Sequence, residues 1–204
     1  MTAIWGPLGW MTLHSVSHNY PDVPNSQEKQ LAAQWVDLFR DSITCPSCQG
    51  HFTELVALYR SAYPYYLDSR TEFILFAYRA HNTVNRRLDK PVYTSVEECE
   101  SAFSRNLMTR PAVEYRRAYV AHIQRYWSTM HDMNGIAHLR KVLEMGNIER
   151  QYWSLRENPA STLTGFAVSP IPNKNPTTSS SLFFRPVTGT GISFTGGRLR
   201  FQRR

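Results

Sequence analysis

Apolar residues recur with the period of an α-helix throughout the first half of the chain. Within several stretches they are spaced three and four residues apart, which places them on one stripe of an amphipathic helix. No stretch of residues 1–104 alternates apolar and polar residues as a strand would. Four helices joined by short loops predict an all-α fold, a four-helix bundle. The four predicted helices cover residues 10–20, 27–40, 52–59 and 70–88.

Two further helical stretches and a change of composition mark the second half. Apolar and aromatic residues stripe residues 115–130 and 136–155, and the sequence HDMNG interrupts the pattern between them. After Pro159 the chain is rich in Ser, Thr, Pro and Gly and contains no acidic residue. We therefore predict three parts: a helical bundle over 1–104, a helical add-on that packs on it over 105–157, and an extended or disordered basic tail over 158–204.

The net charge of +7 belongs to the C-terminal half of the chain. Residues 1–104 carry 8 Lys and Arg against 11 Asp and Glu, residues 105–157 carry 9 against 5, and residues 158–204 carry 6 against none. The basic charge is therefore separate from the cysteine motif described below. A tail of this kind is most often simply solvated, and contact with nucleic acid, lipid or an acidic partner is the alternative.

Bulk features exclude several classes of protein. No apolar run approaches the roughly 20 residues that cross a bilayer, and the N-terminus lacks the basic-then-apolar layout of a signal peptide. We expect a soluble protein with no membrane span that is not exported by that route. Three cysteines are too few for a secreted disulfide scaffold, so we expect any disulfide to take part in chemistry.

Two of the three cysteines, Cys45 and Cys48, form a C-x-x-C pair. Pro46 is favoured in the first turn of a helix, so the pair should straddle a helix N-terminus. Unpaired N–H groups and the helix dipole stabilise a thiolate there, which favours a reversible disulfide. Zinc is the second interpretation, because Cys45, Cys48 and His51 could bind a metal with a fourth ligand from elsewhere in the chain. Two inert thiols are the third.

Two segments on either side of the cysteines, residues 5–22 and 81–91, are rich in Trp, His, Asn, Arg and Lys. Trp and His rings can stack on a flat aromatic cofactor, Asn amides offer donors and acceptors, and cations neutralise a pyrophosphate. On a helix, His81 and Asn85 are i, i+4 neighbours, so these polar groups form one patch. The two segments together predict a site for a nucleotide cofactor.

The order and spacing of these pieces resemble the Erv/ALR family of FAD-dependent sulfhydryl oxidases. The matching motifs are W-G-x-x-x-W followed by L-H, then Y-P-D, then C-x-x-C, then H-N-x-V-N-x-x-L-x-K-P, over about residues 5–100. The resemblance implies a four-helix bundle with a short fifth helix that cradles FAD and needs no metal. Carried over by position, the residues implied to bind FAD are Trp5, Gly6, Trp10, His14, Tyr20, His81, Asn82, Val84, Asn85, Leu88 and Lys90.

The resemblance also implies a role for each cysteine of the pair. Cys45 would be the interchange thiol that meets the substrate, and Cys48 would be the flavin-proximal thiol whose electrons pass to FAD and then to oxygen, giving hydrogen peroxide. The implied partners are thiol-bearing protein substrates or a small redox carrier protein, molecular oxygen, and a second copy in a homodimer. The rival function is a zinc-stabilised helical binding module with a basic tail that contacts nucleic acid or an acidic partner.

The chain departs from the family pattern after Pro91. Many members have a further C-x16-C pair that ties the end of the bundle, and some have a shuttle C-x-x-C in a tail, whereas only Cys99 follows here. We expect Cys99 to be a buried free thiol, with an intermolecular disulfide as the alternative. We expect substrates, or a separate redox protein, to reach Cys45 directly. Short forms with an unrelated extra segment resemble the oxidases of large DNA viruses, which implies the host cytoplasm and the virion. The mitochondrial intermembrane space is the alternative.

Overall fold

Seven α-helices form the regular structure of the residues described by this computed structural model, 2–156 and 163–171, together with one short 3-10 helix at Trp153–Leu155. No strand occurs among these residues, and the prediction of an all-α fold is confirmed. The helices are α1 (Thr2–His18), α2 (Ser26–Ser42), α3 (Pro46–Ala62), α4 (Arg70–Arg87), α5 (Val96–Leu107), α6 (Ala112–Ser128) and α7 (Met133–Gln151).

Polar side chains cap the start of most of these helices. Asn25 and Glu28 form a reciprocal capping box at α2, in which each side chain accepts a hydrogen bond from the other residue's backbone N–H, at 2.9 and 3.0 Å. Ser69, Ser95 and Asp132 each accept a hydrogen bond from the backbone N–H three residues later, and so cap α4, α5 and α7. These caps fix where each helix begins.

The helix α1 lies at the centre of the bundle. Residues 11–20 are all buried, and both α4 and α6 pack against α1. Gly9 brings α1 close to α6, because a Cβ atom there would lie 3.3 Å from the ring of Tyr119. The helix begins well before residue 10, where the sequence pattern placed its start. Pro7 lies inside these first turns, with Gly6 and Gly9 close to it, and because proline and glycine are unfavourable in a helix interior, the sequence pattern gives no helix signal there.

The helices α6 and α7 share one hydrophobic core with the first half of the chain. Tyr119 of α6 and Val142 of α7 are completely buried in the same cluster as Leu13 and Trp35. Trp153 meets Trp35 edge to face, with ring centroids 6.3 Å apart. The helical segment 105–157 is therefore continuous with the core of the bundle.

A buried ion pair joins α6 to α7. The Arg116 side chain is fully buried, and its Nε donates to both carboxylate oxygens of Glu149, at 2.9 and 3.0 Å. The remaining guanidinium nitrogens donate to Ser15 Oγ in α1 and to the carbonyl oxygen of Trp153. Burial raises the pKa of Glu149 although Arg116 opposes that shift. A buried cation needs hydrogen-bond partners in place of water. These bonds therefore join α6 to α7, to α1 and to the 3-10 helix.

Residues 163–171 lie along α4 and α5 without regular secondary structure. Leu163 and Val168 are buried in a second apolar cluster with residues of α4 and α5. Polar side chains of α4 bind the backbone of this segment: Arg79 Nε donates to the carbonyl oxygen of Ala167 at 3.0 Å, and Thr83 Oγ1 accepts from the N–H of Ile171 at 2.9 Å. The rest of the predicted basic tail at 158–204 lies outside the described residues.

No helix in the described part of the chain is both long enough and apolar enough to span a membrane.

Replacement of Arg116 by Met should lower the free energy of unfolding by about 3–5 kcal/mol, because it leaves the buried Glu149 without its counter-charge. Urea unfolding followed by circular dichroism would measure the change. The matched control is Lys29→Met, which breaks the exposed Lys29–Asp68 pair, whose side chains are 40% and 49% accessible. That change should cost under about 1 kcal/mol. Equal losses in the two variants would contradict the role given to Arg116.

Candidate active site

A cavity of about 790 Å³ lies among α1, α3, α4 and α5. Its lining includes both cysteines of the C-x-x-C pair and most of the residues that the resemblance implied for a cofactor. The helix α1 contributes its N-terminal half, α3 its first two turns, and α4 its C-terminal half. The predicted residues that line this cavity are Trp5, Gly6, Trp10, His14, Cys45, Cys48, His81, Val84, Asn85, Leu88 and Lys90.

Cys45 and Cys48 form a disulfide at the N-terminus of α3, with their Cα atoms 5.2 Å apart. Cys45 is the N-cap residue, and its sulfur accepts a hydrogen bond from the backbone N–H of Cys48 at 3.3 Å. Pro46 occupies the first turn, where its missing N–H removes no helical hydrogen bond. The pair therefore stands where unpaired N–H groups and the helix dipole stabilise a thiolate.

The two sulfurs differ in their surroundings. Cys48 packs against the hydrophobic core cluster, whereas the sulfur of Cys45 lies 3.3 Å from the hydroxyl of exposed Ser47. Both residues line the cavity. Cys48 thus packs on the core, whereas the sulfur of Cys45 lies beside an exposed residue.

The geometry does not favour the zinc interpretation of the same motif. The two sulfurs are bonded to each other, and His51 Nδ1 lies 2.5 Å from the carbonyl oxygen of Ser47. Across residues 2–156 and 163–171, no group of three or more His, Cys, Asp or Glu side chains is arranged to hold a metal ion. The arrangement is that of a redox pair.

Stacked rings form one wall of the cavity. The rings of Trp10 and His81 lie nearly parallel, with centroids 4.2 Å apart and an interplanar angle of 10°. His14 Nε2 lies 3.0 Å from His81 Nδ1, a hydrogen bond in which one imidazole donates and the other accepts. The ring of Tyr78 tilts against His14 at 4.8 Å. The wall is a flat aromatic surface with polar edges.

Both imidazoles of this wall are neutral at pH 7. Burial and the charge of Lys90 lower the pKa of His81 to about 4. Burial also lowers the pKa of His14 well below its usual value, and His81 and His18 lower it further. His14 Nδ1 is buried and has no hydrogen-bond partner among the residues that the structure describes. A buried polar atom without a partner at a cavity wall is the expected mark of a ligand that supplies the missing hydrogen bond.

Two residues implied for the cofactor lie elsewhere. Tyr20 follows the end of α1, is fully buried, and donates its hydroxyl hydrogen to the carbonyl oxygen of Leu67 at 3.0 Å. Asn82 follows His81 on α4, so its side chain points about 100° away around the helix. The Asn82 amide binds both the N–H and the carbonyl oxygen of Tyr93, each at 3.0 Å. Tyr93 itself lines the cavity, so Asn82 supports the wall from behind.

Several lining residues were missed by the sequence motifs. Tyr78 lies three residues before His81 on α4, and this helical spacing puts both on one face. The lining residues of α5 fall at i, i+3, i+4 and i+7, a spacing that could have identified them once one was known. Cys99, a buried free thiol, is the first of these, and burial raises its pKa to about 12. The lining residues of α5 are Cys99, Ala102, Phe103 and Asn106.

Comparison with known proteins identifies the class to which this fold and site belong. The family model described as the Erv1 / Alr family matches residues 8–104. The FAD-linked sulfhydryl oxidase of African swine fever virus is 31% identical over 111 residues, which cover 54% of this chain and 87% of the relative. The chain belongs to the Erv1/Alr family, and the prediction of membership is confirmed.

Cellular proteins are similar over a shorter region. The FAD-linked sulfhydryl oxidase ERV1 of Oryza sativa subsp. japonica is 32% identical over 88 residues, 43% of each chain. The mitochondrial FAD-linked sulfhydryl oxidase ERV1 of Saccharomyces cerevisiae is 33% identical over 88 residues, 43% of this chain and 44% of the relative. The helices α6 and α7 lie beyond the residues that the family model matches.

The residues of the cavity fit FAD, the cofactor in the names of these relatives. The stacked wall suits a flat ring system, and the unpaired His14 Nδ1 offers a hydrogen bond at its edge. Arg87 and Lys90 also line the cavity and can offset the charge of a pyrophosphate. The redox disulfide lies in the same lining, so thiols and ring system share one site.

Replacement of His81 by Phe should weaken the acid sensitivity of the FAD-free protein. An unfolded histidine titrates near 6.5, whereas folded His81 titrates at about 4. Between these values the unfolded chain binds more protons, so stability falls as the pH falls. His81 should account for about 2 kcal/mol of the loss between pH 7 and pH 5, and Phe keeps the ring but does not titrate.

Urea unfolding at several pH values would measure this difference. The exposed His131 provides the matched control, because His131→Asn should leave the pH dependence of the wild type in place. An unchanged slope in His81→Phe would show that His81 of the wild type binds protons as readily in the folded protein as in the unfolded chain.

Proposed function

We propose that this protein is an FAD-dependent thiol oxidase that forms disulfide bonds in protein substrates. The observation that carries the proposal is the Cys45–Cys48 disulfide at a helix N-terminus, in the lining of a cavity with a flat aromatic wall. Bound FAD supplies the redox chemistry that the side chains lack, accepting an electron pair and passing it to oxygen to give hydrogen peroxide. Membership of the Erv1/Alr family supports the same reaction.

The chain's own part of the reaction is thiol–disulfide exchange. A substrate thiolate attacks the sulfur of Cys45, the bond to Cys48 breaks, and Cys48 leaves as a thiolate. A second substrate thiolate then attacks the substrate sulfur of this mixed disulfide and releases Cys45 as a thiolate. The substrate gains a disulfide, and the two electrons reside on the Cys45–Cys48 dithiol. The exposed neighbour of Cys45 and the core contacts of Cys48 support this order of roles.

Residues of the wall hold the cofactor in this proposal. Trp10 and His81 provide a stacking surface, and neutral imidazoles avoid placing charge against the rings. Asn85 is buried in the lining and offers an amide donor and acceptor. Lys90 places a positive charge where a phosphate would bind. Because Trp10 and Cys48 both pack against the same core cluster, a ring system held by Trp10 would be fixed relative to Cys48.

Replacement of either Cys45 or Cys48 by Ser should reduce oxygen consumption with dithiothreitol at least a hundredfold, since neither variant can cycle a disulfide. Both variants should keep their flavin absorbance, because the wall is untouched. An oxygen electrode and visible spectra would measure the two properties. Thr53→Ala, on the exposed side of α3, is the matched control and should retain full activity.

The two cysteine variants also test the assignment of roles. Cys45 in Cys48→Ser should trap a mixed disulfide with oxidised glutathione readily, whereas Cys48 in Cys45→Ser should react more slowly because it packs against the core. Mass spectrometry of the intact protein would follow both reactions. Faster trapping by Cys48 would reverse the two roles.

We also propose a homodimer, with α7 as the contact surface. One face of α7 carries three exposed apolar residues. They are Met133, Ile136 and Leu143, which are 80%, 40% and 46% exposed. Two copies of this stripe could pack together and remove its apolar surface from water. Light scattering should then give twice the 23.6 kDa of one chain.

Leu143→Glu should reduce that mass to one chain, because it places a charge in the proposed contact. Asn134→Glu adds the same charge on another face of α7 and should leave the dimer intact. A wild-type protein that remains monomeric would remove the proposal.

The place of action is proposed from the relatives. The viral relative supports the host cytoplasm and the virion, and the yeast relative named as mitochondrial supports the intermembrane space as the alternative. Thiol-bearing proteins or a small redox carrier are the proposed substrates. Contact of the basic tail with nucleic acid or lipid stays a prediction, because most of residues 158–204 lie outside the described part of the chain.

A further inference from the structure

The C-terminal end of α2 is fixed by an unusual set of partners. A helix leaves its last four carbonyl groups without intrahelical donors, and here each has another partner. Ser42 Oγ donates to the carbonyl oxygen of Phe39 at 2.7 Å, and the N–H of Ile43 donates to that of Arg40 at 3.4 Å. The final two carbonyl oxygens, of Asp41 and Ser42, accept hydrogen bonds from side chains of other helices.

The donors to these final carbonyls come largely from α6 and α7. Trp127 Nε1 donates to the carbonyl oxygen of Ser42 at 3.0 Å. His138 Nδ1 lies 2.7 Å from the carbonyl oxygen of Asp41 and must carry the proton, because a carbonyl only accepts. The two rings stack on each other, with centroids 4.1 Å apart and an interplanar angle of 15°. Each ring therefore holds the other in its donating position.

The same carbonyl connects this end of α2 to the redox helix. Gln49 Nε2, one residue after Cys48, donates to the carbonyl oxygen of Asp41 at 2.8 Å. The Asp41 carboxylate accepts from Lys141 of α7 at 2.6 Å and from Arg40 at 2.7 Å. Burial alone would raise the pKa of Asp41, but its hydrogen bonds to Arg40 and Lys141 outweigh burial and lower it. Its negative charge is thus neutralised close to the cysteines.

Only two residues, Ile43 and Thr44, separate the held carbonyls from Cys45. So short a connection leaves Cys45 little freedom once the end of α2 and the start of α3 are both fixed. The position of Cys45 decides whether its sulfur can accept the N–H of Cys48, which lies 3.3 Å away. In the reduced pair, that N–H and the helix dipole stabilise the Cys45 thiolate.

We propose that Trp127 and His138 are positioning residues for the Cys45–Cys48 redox pair, acting through the carbonyl groups of Ser42 and Asp41. Both lie outside residues 8–104, so the helices α6 and α7 acquire a part in the redox chemistry. The proposal deepens the proposed oxidase function and rests on it. Loss of either donor should let Cys45 move away from its N-cap position. The Cys45 thiolate would then lose part of its stabilisation, and the dithiol form would become less favourable relative to the disulfide.

The test measures the redox equilibrium of the pair directly. Wild-type holoenzyme and variants are equilibrated without oxygen in buffers of reduced and oxidised glutathione, quenched in acid, alkylated and analysed by mass spectrometry. In this reaction the enzyme disulfide and two glutathione thiols give the enzyme dithiol and one glutathione disulfide. In Trp127→Phe and His138→Leu, the ratio of dithiol to disulfide should fall about two- to tenfold, the range expected for one lost hydrogen bond.

Two further variants separate positioning from a general loosening. His138→Asn places an amide donor near the position of Nδ1 and should restore the wild-type ratio to within about twofold. Val142→Ala removes buried contacts of α7 but keeps both donors, so it should unfold at lower urea while its ratio stays unchanged. All variants should bind FAD as the wild type does.

The outcomes distinguish this proposal from the oxidase function on which it rests. Wild-type ratios in both Trp127→Phe and His138→Leu would overturn the positioning role, and so would an equal shift in Val142→Ala. The absence of oxygen consumption by the wild type with dithiothreitol would instead overturn the oxidase, whatever the ratios.

Discussion

Cys45 caps the N-terminus of α3, and this single position joins the fold to the chemistry. The helix start supplies N–H groups that have no partner within the helix, and one of them points at the Cys45 sulfur. A sulfur released as a thiolate is therefore stabilised where it already lies. The other elements of the site therefore have to hold the N-terminus of α3 beside the cavity.

The central helix α1 helps to meet that requirement. Its residues 11–18 are all buried, so Trp10 and His14 stand on a helix whose position is set by the core. Because protein interiors are close-packed, one helix is not easily displaced relative to its neighbours. The same burial keeps His14 and His81 neutral at pH 7. Each ring then carries one proton, and its hydrogen bonds decide which ring nitrogen holds that proton. Stability and cofactor geometry thus depend on the same contacts.

The sequence predicted those parts of the structure that have a periodic signal or a short motif. The amphipathic helices and the redox pair belong to this group. The start of α1 has no such signal, because Pro7 and the glycines beside it are unfavourable in a helix interior. Tyr20 and Asn82 show a second limit: both belong to matching motifs, yet one binds a loop carbonyl and the other binds Tyr93. A sequence motif therefore does not distinguish the residues that line the cavity from the residues that support its lining.

Residues beyond the family match also hold the wall of the site that α4 and α5 form. Cys99, which lines the cavity, packs with Leu163 and Val168 in one apolar cluster. Side chains of α4 bind the backbone of residues 163–171 over the same region, so hydrogen bonds and apolar contacts, rather than a disulfide, join this segment to α4 and α5. Such contacts are insensitive to reduction, which a covalent bond between sulfurs is not. An enzyme that exchanges thiols with its substrates gains from this arrangement, since its only disulfide within the described residues is then the one that reacts.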